Sequence, residues 1–155
     1  MSLVANYKAH TKQRAELGVP PLALTAEQVA QLVELLKQSP ITEQNYVVDL
    51  FVNNIPAGVD DAAYVKAAFL NDIVQGNVSC DAIDSIKACE ILGLMLGGFN
   101  VTPLVEALKI DGEVANTAAT QLKNTILVYD AFNDVKTLMD KGNAKAKEVI
   151  ESWAN

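Results

Sequence analysis

The side chains able to do chemistry are few and scattered. The one histidine, His10, lies between Lys8 and Lys12. A lone imidazole cannot form the His pair that a metal site uses, and no serine or cysteine at helical or turn spacing offers it a nucleophile to activate. It reads as a surface histidine. Cys80 and Cys89 are too few for a disulfide framework and lack the further ligands that zinc or iron requires. Cys89 falls on an apolar helical stripe and is expected as a small buried thiol. The acid pairs Asp60 with Asp61 and Asp81 with Asp84 could serve acid–base work, but each stands where a helix is expected to start. Free N–H groups and the macrodipole favour carboxylates there. Gly93-x-x-x-Gly97-Gly98 has the glycines of a phosphate loop without the lysine and Ser/Thr that must follow, since Phe99-Asn100 come next. Close helix packing and a sharp turn, with Asn100 bonding its own backbone, account for it. No catalytic, cofactor or metal site is therefore assigned within the chain.

A polar loop is what packing leaves over. Asn53 to Asp60 carries two side-chain amides, a proline and a glycine, and Tyr64 and Lys66 follow. Such loops at one edge of a helical array commonly bind partners, although Pro56-Ala57-Gly58 is also ordinary turn chemistry. The candidate interaction surface is accordingly Asn53, Pro56, Gly58, Asp60, Tyr64 and Lys66, together with Gly97, Gly98 and Asn100.

The elements that must hold these residues read as helices almost throughout. A helix of mixed polarity over Val4 to Leu17 stops at Gly18, and Val19-Pro20-Pro21 forces an extended link. Thr25 with Gln28 forms a capping box, and Val29, Leu32, Val33 and Leu36 recur on one face until Ser39-Pro40. A third helix fits Thr42 to about Asn53, with Val47, Val48, Leu50 and Phe51 as its apolar mass. Asp60 caps a fourth that runs to Gln75 and buries Ala62, Val65, Phe69 and Ile73, with Gly76-Asn77 ending it. The fifth begins near Asp81 and is expected to present Ile86, Cys89, Gly93 and Leu96 on one stripe before Gly97-Gly98. Thr102 as cap with Pro103 at the first helical position opens a short sixth through Leu104, Val105 and Leu108. Glu113 to Phe132 reads as one helix carrying Val114, Ala118, Leu122, Ile126 and Tyr129, with a kink near Lys123-Asn124. After Asn133-Asp134 a short helix ends at Lys141-Gly142, and a last one carries Ala146, Val149, Ile150 and Trp153. Starts near Val4, Thr42, Asp81 and Glu113 recur at roughly 40 residues or less, the period of HEAT-like helix pairs. The expected fold is all-α: HEAT-like stacked helix pairs forming one irregular superhelix over residues 1–155, with a globular bundle as the alternative.

Composition narrows the functions open to such a fold. Half of the 155 residues are hydrophobic but only 6% are aromatic, which suits a close-packed core of small aliphatic side chains. Nineteen acids against twelve bases give a net charge of -7, which repels nucleic-acid phosphates and anionic membrane faces. The longest apolar run, Ile91 to Leu96, is far short of the roughly 20 residues of a membrane span. Met1-Ser2-Leu3-Val4 lacks the charged and apolar regions of a signal peptide, so a cytoplasmic setting is expected. The stop at Ala154-Asn155, directly after Trp153, suggests a piece of something longer.

Several stretches together carry a specific resemblance: Leu32-Val33-Glu34-Leu35-Leu36-Lys37, Asp49-Leu50, Pro56-Ala57-Gly58-Val59-Asp60-Asp61-Ala62-Ala63-Tyr64-Val65-Lys66-Ala67, Gly97-Gly98-Phe99-Asn100 with Pro103-Leu104, and Ser152-Trp153-Ala154. With these, spread over nearly the whole chain, it resembles the N-terminal HEAT-like domain of bacterial aconitase B. It departs from that family at Asn54, Ala57, Phe99 and Thr102, where Arg, Pro, Tyr and His are usual, and no family role is carried onto these four. The resemblance implies a parent hydro-lyase, an aconitate hydratase and 2-methylisocitrate dehydratase of the tricarboxylic acid cycle. That parent isomerises citrate and isocitrate through cis-aconitate on a [4Fe–4S] cluster held beyond residue 155, and this fragment would hold no cofactor. It further implies a non-catalytic domain for protein contacts: with the other domains of the same enzyme, in a homodimer, or with neighbouring metabolic enzymes. A stand-alone helical scaffold and an RNA-contacting regulatory domain are the alternatives, and the acidity disfavours the second.

Overall fold

The computed structural model describes residues 2–125 and 129–154, with the side chains of 129 and 130 left aside. Among the described residues nine helices form and no strand does. The first, α1 (Leu3–Glu16), is capped by the Ser2 hydroxyl, which accepts from the Ala5 N–H at 3.2 Å, and buries only Leu3, Val4 and Tyr7. It is fastened to the extended link after it. The Tyr7 hydroxyl donates to the Leu22 carbonyl at 2.6 Å, and His10 Nε2 accepts from the Leu22 N–H at 3.0 Å. His10 is thus a half-buried anchor rather than a free surface imidazole.

The capping box at Thr25 and Gln28 opens α2 (Ala26–Leu36), and Val29, Leu32, Val33 and Leu36 are all buried, as the spacing predicts. The third helix, α3 (Gln44–Asn53), starts two residues later than expected, after Glu43 in the left-handed region at φ 51°. Asp60 caps α4 (Asp61–Val74) through the Ala62 N–H at 2.8 Å. Phe51 of α3 meets Phe69 of α4 edge to face, with ring centroids 5.6 Å apart.

The fifth helix, α5 (Ser85–Leu94), departs from expectation at both ends. Asp84 is its cap, accepting from the Lys87 N–H at 2.7 Å. Asp81 instead accepts from the Ser39 hydroxyl at 2.6 Å, tying the link before α5 to the turn after α2. The helix stops at Leu94, since Met95 is extended (φ -76°, ψ 147°). Its buried face is therefore Ala88, Cys89, Ile91 and Leu92, while Ile86 and Leu96 of the expected stripe are exposed. Likewise α6 (Val101–Ala107) begins one residue before Thr102, so Thr102 is not its cap and Pro103 sits inside the first turn, where no intrahelical N–H bond is owed.

The long helix expected from Glu113 to Phe132 is two. α7 (Glu113–Lys123) ends at Asn124 and α8 (Tyr129–Asp140) runs straight through Asn133-Asp134, which lie exposed on its surface. Ile126 and the side chain of Tyr129 fall outside the described residues. The last helix, α9 (Ala144–Ala154), is pinned by Asn143, which caps the Ala146 N–H and donates to the Leu108 carbonyl, and by the Trp153 indole N–H, which donates to the Leu122 carbonyl at 3.0 Å.

Packing runs as a continuous row α2–α4–α5–α7–α9, with α3 laid on α2, α6 against α4, α5, α7 and α8, and α8 against α9. Each helix buries its stripe on the next, as expected of a stacked helical array. Among the described residues no helix is long and apolar enough to cross a membrane.

Candidate functional site

Two turns separated in sequence come together at one edge of the array. The link between α3 and α4 (residues 54–60) lies against the link between α5 and α6 (residues 95–100). The Gly58 N–H donates to the Leu96 carbonyl at 3.2 Å. Gly97, at φ 98°, has no room for a Cβ, because one placed there would run into the Gly58 backbone. Both glycines are in the left-handed region, which they enter without the steric cost other residues meet. On the flank of the contact the Tyr64 and Phe99 rings meet edge to face, with centroids 5.4 Å apart.

The predicted surface residues divide between inside and outside. Asn53 is exposed and donates to the Asp49 carboxylate at 2.8 Å. Asp60, Tyr64, Gly97 and Gly98 are exposed, and Pro56 and Gly58 are half-buried. Lys66 and Asn100 are buried, and only 7% and 3% of their surfaces remain exposed. Asn100 does not bond its own backbone. Its amide donates to the Leu92 carbonyl in the last turn of α5 at 2.7 Å and to the Met95 carbonyl just beyond the helix at 3.1 Å, tying down the point where that helix stops early.

Lys66 enters the interior because it follows Ala62 by four residues and precedes Phe69 by three, on the buried stripe of α4. Its Nζ donates to the Val52 carbonyl at 3.2 Å and lies 5.7 Å from the centre of the Phe51 ring. Burial lowers its amine to about 8. Beside it opens a cleft of about 190 Å³ whose walls include Val52, Ile55, Pro56, Leu94 and Leu96.

The outer face of this edge is apolar. Val59, Leu94 and Leu96 are 76%, 75% and 65% exposed, which is unusual for three large aliphatic side chains at one edge. None of the three was anticipated as a surface residue. Leu96, expected on the buried stripe of the fifth helix, lies outside once that helix ends at Leu94.

The donor set does not fit a metal or an iron–sulfur cluster. Among the described residues no three His, Cys, Asp or Glu side chains gather. Cys89 is fully buried, and burial, with Glu90 adding to it, pushes its thiol up to about 11, whereas a cluster ligand must be a thiolate. Cys80 is half-buried and both thiols are free.

Comparison with known proteins shows the family of the chain. A family described as the aconitate B N-terminal domain matches residues 6–155. The aconitate hydratase B of Pseudomonas aeruginosa is 53% identical over 149 residues, covering 96% of this chain and 17% of the relative. That of Escherichia coli is 44% identical over 153 residues, covering 99% and 18%, and that of Helicobacter pylori is 42% identical over 151 residues, covering 97% and 18%. The chain thus spans less than a fifth of the length of the curated relatives it matches.

Proposed function

The chain belongs to the family of aconitate B N-terminal domains, and on that premise we propose that it is a non-catalytic docking and assembly domain of a longer hydro-lyase. The parent would interconvert citrate and isocitrate through cis-aconitate, and hydrate 2-methyl-cis-aconitate. Its [4Fe–4S] chemistry would be held by residues outside this chain, because the thiols present here do not fit a cluster. The free Cys80 and Cys89 suit a reducing, cytoplasmic setting.

The observation that carries the reading is the exposed apolar ridge of Val59, Leu94 and Leu96, on an edge where, among the described residues, no three His, Cys, Asp or Glu side chains gather. Covering three such side chains returns roughly 5 kcal/mol at about 1.5–3 kcal/mol each, enough to bias a domain toward a docked position. Docking against the rest of the enzyme, against a second subunit or against a neighbouring metabolic enzyme would all use this property.

The test is the pair of substitutions Leu94→Asp and Leu96→Asp in the full-length protein. Both positions are exposed, so the fold should persist with stability changed by about 0.5 kcal/mol or less. X-ray scattering and light scattering should then show a more extended particle or a lost subunit contact. Unchanged dimensions and mass would refute the assignment of this ridge. Deletion of residues 1–155 with assembly and turnover both preserved would refute the docking role altogether. Aconitate turnover above background by the 155-residue chain alone would refute the non-catalytic reading.

A further inference from the structure

Lys66 is the one buried charged side chain among the described residues, and its surroundings leave it incompletely satisfied. An ammonium group has three N–H donors. The Val52 carbonyl takes one, and the Phe51 ring face at 5.7 Å is a weak partner for the charge. The ion pairs among the described residues join other lysines to Asp or Glu, and none includes Lys66. This is notable in a chain with seven more acidic than basic side chains. A buried cation held without its counter-charge carries a desolvation cost that a hydrogen-bonded carboxylate offsets.

The cleft beside Lys66 shows what kind of group is missing. Of the side chains that line it with Lys66, only the Met95 thioether can accept a hydrogen bond, and weakly, so none supplies the anionic acceptor that an ammonium group favours. A space of about 190 Å³ holds a carboxyl group with the methylenes that carry it. The exposed Leu94 and Leu96 extend the same wall outward, so an occupant that reaches Lys66 also covers them.

We infer that Lys66 is the socket for an Asp or Glu side chain projecting from an apolar segment of the same polypeptide outside residues 1–155. The relatives are more than five times as long as this chain, and a protein of their length would have ample chain to supply that segment. Charge complementarity selects an acid, and the exposed leucines select apolar residues on either side of it. The inference rests on the docking reading above and names the contact that would lock it. Burial holds the Lys66 amine at about 8, and a carboxylate seated against it would draw it back up.

The test uses the full-length protein and a zero-length carbodiimide. The reagent activates a carboxylate, the Lys66 amine displaces it to form an amide, and the reagent leaves as its urea, having taken up the elements of water. Peptide mass spectrometry is expected to find Lys66 joined to one Asp or Glu beyond residue 155. Mixing isotopically labelled and unlabelled copies is expected to show the link within one polypeptide. Lys66→Met should abolish the adduct and raise amide exchange at residues 94–97 about tenfold, the effect of losing one hydrogen bond to a charged group. Lys66→Gln, which can still donate to the Val52 carbonyl, should do the same.

A link from Lys66 to an acid within residues 1–155 or to a second copy would overturn the inference. So would a Lys66 shielded from acylation only when acetate is added, which would assign the socket to a free carboxylate. If residues 94–97 are protected in the full-length protein but Lys66 forms no adduct, the socket is wrong and the docking reading stands. If those residues are unprotected as well, both fall.

Discussion

The contact between Gly97 and Gly58 can be isolated by comparing two neighbouring substitutions. Gly97 and Gly98 share nearly the same backbone conformation, at φ 98° and 97°, yet a Cβ on Gly98 would meet open space whereas one on Gly97 would strike the Gly58 backbone. Gly98→Ala therefore incurs only the strain of an L-residue in that region, about 1–2 kcal/mol. Gly97→Ala incurs the same strain and must also displace the turn opposite. The hydrogen bond from Gly58 to the Leu96 carbonyl is then lost, about 1 kcal/mol. The edge-to-face pair of Tyr64 and Phe99 is disturbed, another 0.5–1.5 kcal/mol or so. The expected totals are about 2.5–4.5 kcal/mol for Gly97→Ala and about 1–2 kcal/mol for Gly98→Ala. At about 2–4 °C per kcal/mol for a chain of this size, thermal unfolding followed by circular dichroism should place the Gly97→Ala midpoint roughly 3–10 °C below that of Gly98→Ala. Midpoints that coincide, or a Gly98→Ala protein that is the less stable of the two, would refute the claim that backbone contact between the two turns builds this edge.

Other consequences are equally direct. Asn100→Ala removes the side-chain donor to both the Leu92 and the Met95 carbonyls, leaving Leu92 with only the Met95 N–H at 3.1 Å. It should lower stability by about 2–3 kcal/mol in denaturant unfolding, and Asn100→Asp by more, because the donor is lost and a charge is buried. Lys66, lowered to about 8 in the folded chain against an ordinary 10.5, binds fewer protons folded than unfolded between those values. Stability of wild type relative to Lys66→Met should therefore rise with pH from about 8 to 10.5, at up to ~1.4 kcal/mol per pH unit, and a flat difference would refute the assignment. At pH 8 a thiol reagent should modify Cys80 in the native chain and reach Cys89, whose thiol burial pushes up to about 11, only after unfolding; mass spectrometry reads one adduct, then two.

The legible parts of the fold are those decided locally. Thr25 and Gln28 announce a helix start because the reciprocal bonds of a capping box span three residues. The stripe from Val29 to Leu36 is core because its spacing allows nothing else. What local signals missed was set by contacts across the array. Leu96 is expected on the buried stripe with Ile86, Cys89 and Gly93, yet α5 ends at Leu94, with Asn100 bonding the Leu92 and Met95 carbonyls, and both Leu94 and Leu96 are exposed. Asn133 and Asp134 read as a break, yet they are simply the wet face of α8. Lys66 did carry a readable signal, since its spacing from Ala62 and Phe69 puts it on the buried stripe. Its charge drew attention to the surface instead. The meeting of Gly58 with Gly97 had no local sign at all.

Three of these misses, at Leu94 and Leu96, at Lys66 and at Gly58 with Gly97, share a location, which bears on function. A stacked helical array satisfies its backbone within helices and its apolar stripes between them, so departures from local rules concentrate where the array faces something else. Here an early helix end, a close approach of two backbones, a buried lysine short of partners and three exposed aliphatic side chains lie together at the edge built from residues 54–60 and 94–100. Each has a cost for the chain on its own: strain risk at the glycines, desolvation at Lys66, water against the leucines. A cover that is apolar around one acidic group offsets the last two at once. The rigid glycine contact would keep the ridge and the socket in register for it. On the docking reading proposed above, the edge is half of an interface whose complementary half is expected in the remaining four-fifths of a protein of the relatives' length.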